Sequence, residues 1–381
     1  MLLNLLLPAL EAGGWPGFTW EQWRKITHVE RPQATSPQAG QRTLLSLLDP
    51  APGATEKIDT VHAWEMKRAR IHTVLNEFVG QPQPMTPPPP SATELGREDA
   101  GTYERIHLRV ASEADDTVPA YLLLPKERQE SRAPVMIVLH QTQAPGKQEA
   151  CGMIGDENLA FARELAERGM ICLAPDAIGF GERIRPGGQP YDNALDLYRK
   201  HPQWSYFGKM NWDVARIVDY LETLGYIDPK RIGVIGHSHG AYGSIMSAVA
   251  EPRIALVVAS CGYTTLRTDP SPNRWSHLTA LLPRLGFYVD DVSQAPFDWH
   301  EIVACLAPRP YFNWATLNDD IFPGTDNLKD VYEQLHSVYA LHGAGDAFTG
   351  RLVPGKHRFP PEGRQEAYSW IEHQFGVGEG R

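Results

Sequence analysis

The first group able to do chemistry is a serine that stands between two glycines. Residues 236–240 read Gly-His-Ser-His-Gly and follow an apolar run with Ile232, Val234 and Ile235, which is typical of a buried parallel strand. Small residues at helical spacing come next. A strand, a tight turn and a helix in this order present a serine hydroxyl at the end of a sheet, over helix N–H groups that suit a developing oxyanion. We therefore predict that Ser238 is a nucleophile; the alternative is a glycine-rich turn whose serine only caps the helix.

A serine hydroxyl is a poor nucleophile unless a base takes its proton and an acid orients the base. Downstream of the turn, Asp319 and Asp320 follow an apolar strand, and His357 lies in a glycine-containing loop before the last predicted helix. The other downstream histidines lie on or next to predicted helices; His336 is one of them. The order serine, acid, histidine is known for one class of catalytic triad. We predict His357 as the base and Asp319 as the acid, with Asp320 pointing elsewhere and capping the turn.

Backbone N–H groups that would stabilise an oxyanion are expected on two segments. One N–H belongs to His239, the residue after the nucleophile, and the other belongs to the loop after the first central parallel strand. That loop reads His140-Gln141-Thr142. We predict Gln141 as the second donor, and His140 as a residue that shapes the loop or contacts substrate.

Other side chains near these segments have a functional and a structural interpretation. Tyr263 and Trp275 follow another apolar strand, and they would either form a wall for an acyl group or sugar or pack in the core. His237 and His239 flank the serine, but neighbours on a tight turn point apart and no acidic ligand lies near them in sequence. We therefore expect no metal site here.

Bulk composition is that of an ordinary water-soluble globular protein. The 381 residues are 42% hydrophobic and 22% charged, with a formal net charge of −10 and no dense run of lysine and arginine. This disfavours a nucleic acid or an anionic membrane as a partner.

The four cysteines are scattered and include no C-x-x-C pair, so they match neither a zinc pattern nor a disulfide framework, and reduced thiols are expected. The first ten residues, MLLNLLLPAL, are apolar without a preceding lysine or arginine. This is a poor signal peptide, and it is too short to span a bilayer. We expect an arm that packs on the body or on a second subunit, and a cytoplasmic location, with secretion left open.

Residues 1–100 differ from the rest of the chain. Trp15, Trp20 and Trp23 lie close together, a helix is predicted over 59–79, and the sequence QPQPMTPPPP at 81–90 predicts an extended connector. We predict an accessory N-terminal region over 1–100, mainly helical. A catalytic domain follows over 101–381, with a lid-like aromatic insertion near 181–210. The aromatic density of both regions favours a homodimer contact or a lid.

Beyond residue 105, apolar strands alternate with amphipathic helices. Two strands, over 106–110 and 118–124, are expected to pair antiparallel. Further strands are predicted at 135–139, 170–174, 232–235, 254–259 and 310–314, and helices at 158–168, 212–224, 328–339 and 365–375. This alternation predicts an α/β fold with a mostly parallel sheet and helices on both faces.

The carboxyl-terminal portion resembles the α/β-hydrolase superfamily, in its bacterial acetyl xylan esterase-like and dienelactone hydrolase-like branch. The similar stretches read LHQTQAPGKQEACG (139–152), LAPDAIGFGER (173–183), GKMNWDVARIVDYLETLGYIDPKRIGVIGHSHG (208–240), PRPYFNWATLNDDIFP (308–323) and PGKHRFPPEGRQEAYSWI (354–371). The resemblance implies Ser238 as nucleophile, Asp319 as acid, His357 as base and no cofactor. Many dienelactone hydrolases use cysteine as nucleophile, and the serine here makes carboxylester chemistry the better analogue.

We therefore expect a serine carboxylester hydrolase that acts on a short-acyl ester, with an acetylated carbohydrate as the favoured substrate. A serine peptidase of the acylaminoacyl or dipeptidyl type is an alternative with the same fold, although no propeller-forming region precedes the domain. A non-catalytic binding protein on this scaffold is a further alternative. A complete set of serine, aspartate and histidine disfavours it.

Overall fold

The computed structural model describes residues 18–34, 36, 40, 43–49, 57–127 and 130–377. The chain divides into two compact units whose segments alternate along the sequence. The first unit comprises the described residues within Met1–Gln83, Tyr191–Gly208 and Tyr263–His357, and the second those within Pro84–Pro190, Lys209–Gly262 and Arg358–Arg381. This division differs from a single boundary near residue 100. Trp15 and the apolar first ten residues lie outside the described residues.

Helices and strands alternate over most of the described chain. The helices are α1 (Trp20–Thr27), α2 (Val61–Val79), α3 (Lys147–Ala150), α4 (Phe161–Glu167), α5 (Ala194–Lys200), α6 (Tyr206–Glu222), α7 (His239–Ala250), α8 (Trp299–Ala304), α9 (Leu328–Leu341) and α10 (Pro361–Gln374). The strands are β1 (Ala92–Asp99), β2 (Tyr103–Glu113), β3 (Asp116–Pro125), β4 (Ala133–Leu139), β5 (Ile171–Pro175), β6 (Ile227–His237), β7 (Leu256–Ser260), β8 (Tyr311–Thr316) and β9 (Phe348–Val353).

The strands of the second unit follow the order β1-β2-β3-β5-β4-β6-β7. The first three strands are antiparallel to their neighbours, and β5, β4, β6 and β7 run parallel. Every residue of β4, β5 and β7 is buried, which explains why these strands are continuous apolar runs. The predicted antiparallel pair and the predicted parallel strands are confirmed.

The register of the parallel strands brings the loops that carry Ser238 and Gln141 to one edge. Leu139 of β4 pairs with Gly236 of β6, and His237 pairs with Ser260 of β7. The loops after β4, β6 and β7 therefore start side by side at the carboxyl ends of their strands.

The first unit holds the N-terminal helices and the parallel pair of β8 and β9, in which Thr316 lies opposite Val353. Thr60 caps α2 by accepting a hydrogen bond from the Ala63 N–H at 3.2 Å, so the predicted helix is present with threonine as its cap. Trp23 of α1 meets the ring of Tyr198 with centroids 6.2 Å apart. Tyr198 is buried and donates to the Ala280 carbonyl at 2.6 Å. The aromatic residues of the predicted insertion thus pack in the core of this unit.

Six elements lack a prediction from the sequence: the helices α1, α3, α5 and α8 and the strands β1 and β9. Strand β1, with the sequence ATELGRED, is exposed along nearly its whole length, and so it shows no alternation of apolar and polar residues. Strand β9 is a six-residue strand that contains glycine. Such patterns carry little signal without the partner strand.

All four cysteines are buried. None of the helices described here combines the length and apolar character needed to cross a membrane.

Candidate active site

Ser238 stands at a sharp turn between β6 and α7, in the strand–turn–helix context that the sequence predicts. Its backbone has φ 55° and ψ −115°, which a residue with a side chain rarely adopts. A Cβ at Gly236 would lie 2.3 Å from Gly240, and a Cβ at Gly240 would lie 2.0 Å from the Leu139 carbonyl oxygen. Both glycines are therefore required by close backbone approaches. The same approach brings the start of α7 against the end of β4.

Hydrogen bonds fix the backbone of Ser238. Its N–H donates to the Ser260 carbonyl at 2.9 Å, and its own carbonyl accepts from the Ala241 N–H at 2.9 Å and the Tyr242 N–H at 3.2 Å. The first N–H groups of a helix have no intrahelical acceptor, and His239 is the first residue of α7. Its N–H is therefore available to an oxyanion beside Ser238.

Asp319 and His357 lie together in the first unit, after β8 and β9 respectively. The His357 Nδ1 is 2.8 Å from Asp319 Oδ2 and 3.0 Å from Oδ1, and both residues are buried. Asp319 also accepts from the N–H groups of Ile321 at 2.9 Å and Phe322 at 2.8 Å. A carboxylate accepts from Nδ1 only when that nitrogen carries the proton, which leaves Nε2 as the basic atom of the imidazole.

Asp320, the neighbouring carboxylate, is exposed and contacts the backbone of the loop that carries His357. Its Oδ1 accepts from the His357 backbone N–H at 3.4 Å and makes no contact with the imidazole in the described structure. The two adjacent carboxylates therefore have different partners, as expected from their different directions.

His140 and Gln141 follow β4 beside the turn. The Ala177 N–H donates to His140 Nε2 at 3.1 Å, so Nδ1 carries the proton and donates to the Gln141 carbonyl at 2.6 Å. Burial lowers the pKa of His140, which keeps this imidazole neutral. His140 thus shapes the loop, one of the two roles predicted for it.

The two histidines that flank the serine point to different partners. His237 Nδ1 lies 3.0 Å from Ser260 Oγ, and His239 Nδ1 lies 3.3 Å from the His140 carbonyl oxygen. This is the separation expected of neighbours on a tight turn.

Tyr263 and Trp275 are buried in the aromatic core of the first unit. The Trp275 ring lies 4.5 Å from that of Trp299, and the Tyr263 ring lies 6.2 Å from the same tryptophan. Trp275 also stacks on Phe322 at 5.9 Å, and Phe322 lies 5.7 Å from the His357 ring. These contacts match the core-packing interpretation of both residues.

Two supporting contacts are not evident in the sequence. Arg274 donates from Nη1 to the Ile321 carbonyl at 2.6 Å and so holds the loop that carries Asp319. Gln141 Nε2 donates to Glu149 Oε1 at 3.2 Å, and burial raises the pKa of the Glu149 carboxyl. Arg274 and Ile321 are distant in the chain, and no residue pattern in the sequence predicts either hydrogen bond.

Comparison with known proteins bears on the chemistry. The family described as "Glucuronyl esterase, fungi" matches residues 111–342, which is more than half of the chain. A 4-O-methyl-glucuronoyl methylesterase 1 of Wolfiporia cocos is 24% identical over 332 residues, covering 82% of this chain and 74% of the relative. YtaP of Bacillus subtilis is 29% identical over 242 residues, covering 61% and 75%.

The solved structures include a glucuronoyl esterase from Solibacter usitatus. It has a TM-score of 0.70 at 18% identity and covers 89% of this chain and 99% of its own. At this identity the likeness establishes the fold, so the expected α/β-hydrolase fold is confirmed. The match over residues 111–342 favours the expected esterase over a peptidase or a binding protein. The chain belongs to the glucuronyl esterase family and is a carboxylic ester hydrolase.

Proposed function

We propose that this esterase cleaves a carbohydrate ester with Ser238 as nucleophile, His357 as general base and Asp319 as the orienting acid. The observation that carries the proposal is the hydrogen bond between buried His357 and buried Asp319, with Nδ1–Oδ2 at 2.8 Å. It fixes the imidazole in the tautomer that a general base needs. The strained turn that presents Ser238 supports the same assignment.

In the first half-reaction the Ser238 Oγ forms a bond to the ester carbonyl carbon while its proton passes to His357 Nε2. The carbonyl electron pair moves to oxygen and is stabilised by the N–H groups of His239 and Gln141. When the tetrahedral intermediate collapses, the bond to the alkoxy oxygen breaks and His357 gives its proton to the departing alcohol. An acyl-enzyme remains.

In the second half-reaction, water attacks the acyl carbon and gives a proton to His357. Collapse of the second intermediate releases the carboxylic acid and returns the proton to Ser238. Every step moves only protons and acyl groups, so the proposed mechanism uses no cofactor.

The names of the relatives support a substrate class. The name of the Wolfiporia cocos protein describes a 4-O-methyl-glucuronoyl ester, in which the sugar supplies the acyl group. In an acetylated carbohydrate, by contrast, the sugar supplies the alcohol. We favour the uronoyl ester for this chain, because the matching family is described as glucuronyl esterase.

The test measures release of methanol from a glucuronoyl methyl ester and release of acetate from acetylated xylan oligomers. Wild-type protein, Ser238→Ala and Ser244→Ala are compared. Ser244 is a matched control, because it is a buried serine of α7, the helix that follows Ser238, and its hydroxyl donates to the Gly240 carbonyl at 2.7 Å. Methanol release that is lost in Ser238→Ala and kept in Ser244→Ala supports the proposal.

Two other outcomes would each contradict one part of the proposal, either the substrate or the nucleophile. Acetate release without methanol release would reject the uronoyl substrate and leave the nucleophile in place. Turnover that survives Ser238→Ala would reject the catalytic assignment itself.

A further inference from the structure

The peptide group between His140 and Gln141 is held by a side chain from the neighbouring helix. The His140 carbonyl oxygen is 3.3 Å from His239 Nδ1. Because a carbonyl can only accept, His239 Nδ1 must carry its proton and donate. In a trans peptide the C=O and N–H bonds point in opposite directions, so holding the His140 carbonyl also sets the direction of the Gln141 N–H.

The next peptide group of this loop is held as well. The Gln141 carbonyl accepts from His140 Nδ1 at 2.6 Å and from the Gln143 N–H at 2.8 Å. Gln141 therefore lies between two fixed carbonyl groups. The Gln141 N–H has no acceptor among the residues that the structure describes. It is therefore available to donate to a ligand.

Within its environment, the His239 ring makes its polar contact through Nδ1. Its ring is buried and lies 5.6 Å from the ring of His140 at an interplanar angle of 12°. The ring centroids of Phe180 and Tyr242 lie 4.8 and 5.2 Å from the centroid of the His239 ring. Nε2 is also buried and finds no hydrogen-bond partner in the described part of the chain, so the bond to His140 is the polar contact that fixes the ring.

The buried position of the His239 ring favours the neutral form of its imidazole. Burial, and then repulsion from His140, lowers the pKa of His239 to about 3. At neutral pH the ring therefore keeps a single proton, and Nδ1 holds it.

We propose that the His239 imidazole is a positioning residue of the oxyanion hole: through the His140 carbonyl, it aims the Gln141 N–H at the site of the developing negative charge. The inference rests on the proposed function of Ser238. It gives His239 two separate roles, since its backbone N–H is one donor and its side chain orients the other. The side chain touches no reacting atom.

The test compares three substitutions at this position. In His239→Asn the amide nitrogen can occupy the place of Nδ1, whereas in His239→Gln it reaches toward the place of Nε2, and His239→Leu has similar bulk without a donor. With p-nitrophenyl acetate we expect kcat to fall less than tenfold in the Asn variant. In the Gln and Leu variants it should fall about 10- to 100-fold with little change in KM, less than the 10²–10³-fold cost of removing an oxyanion donor outright.

A second measurement separates positioning from general damage. Phenylboronic acid forms a tetrahedral adduct with an active serine, so its inhibition constant should rise in the Gln and Leu variants in parallel with the loss of kcat. The Asn and Gln variants are both polar, so this comparison holds even if the Leu variant does not fold.

Equal kcat in the Asn and Gln variants, or a loss of kcat without weaker boronate binding, would overturn the inference. Failure of the proposed function has a different signature, because turnover would then survive Ser238→Ala. Loss of turnover in Ser238→Ala with equal Asn and Gln variants would reject only the positioning role.

Discussion

At the scale of the residue, two adjacent aspartates have different hydrogen-bond partners. Asp319 holds the His357 imidazole and accepts two loop N–H groups, whereas Asp320 accepts from the His357 backbone N–H. The side-chain directions, and not the residue types, support the orienting role that we propose for Asp319. This makes the two carboxylates a matched pair for mutation.

Asp319→Asn should lower kcat about 10⁴-fold. Oδ1 accepts the N–H groups of Ile321 and Phe322, so an asparagine would keep its oxygen there and turn its NH₂ toward His357. The imidazole would then carry its proton on Nε2 and lose its basic atom. Steady-state ester hydrolysis measures this, and Asp320→Asn should change kcat less than tenfold. The reverse ranking would assign the acid to Asp320.

Ser238→Gly should be more stable than Ser238→Ala by about 1 kcal/mol. Both variants lack the proposed nucleophile, but alanine keeps the Cβ that strains a backbone with φ 55°, and glycine does not. Urea denaturation of the two variants measures the difference. Equal midpoints would mean that the turn stores no strain at this residue.

At the scale of the element, the turn between β6 and α7 depends on backbone contacts that leave no room for side chains. Gly240 approaches the Leu139 carbonyl, which ends β4 just before the oxyanion loop. A change in this one contact therefore affects both the nucleophile turn and the loop of His140 and Gln141.

Gly240→Ala should lower the free energy of unfolding by about 3 kcal/mol and abolish ester hydrolysis. The new Cβ would lie 2.0 Å from a backbone oxygen, so helix and strand would have to separate. Gly225→Ala is the control, because a Cβ there meets nothing within 4 Å, and we expect unchanged activity. The expectation fails if both variants unfold at the same denaturant concentration.

At the scale of the whole molecule, buried neutral histidines couple folding to pH. The pKa of His239 is lowered to about 3 and that of His140 is also lowered, in both cases mainly by burial. An unfolded imidazole has a pKa of about 6.5. Between about pH 6.5 and pH 3 the His239 imidazole therefore binds a proton in the unfolded chain and not in the folded chain, so the free energy of unfolding falls as the pH falls.

The His239 imidazole should contribute a slope of about 1.4 kcal/mol per pH unit in that window. His239→Asn removes this imidazole, so its stability should fall less steeply from pH 6 to pH 4 than that of the wild type. Denaturation midpoints at a series of pH values measure the slopes, with Gly225→Ala as a control that keeps both imidazoles. Parallel slopes for the Asn variant and wild type would show that His239 is not buried as a neutral ring.

The sequence by itself predicts the elements that have a strong local signal. The apolar runs of β4, β5 and β7 and the glycines around Ser238 follow from burial on both faces and from a turn without room for a Cβ. These features predict the α/β fold and the turn that carries Ser238, and the order serine, acid, histidine predicts Asp319 and His357 as the candidate acid and base. Strand β1 is missed because an exposed strand has no apolar period to detect.

Only the tertiary structure decides the hydrogen bonds between residues that are distant in the chain. Which aspartate faces His357, and which ring holds the peptide before Gln141, depends on side-chain directions in folded loops. No residue pattern encodes these directions. The contact of Asp319 with His357, which the sequence only predicts, and the contact of His239 with the His140 carbonyl therefore depend on packing, whereas the residue types and their order already indicate the kind of chemistry.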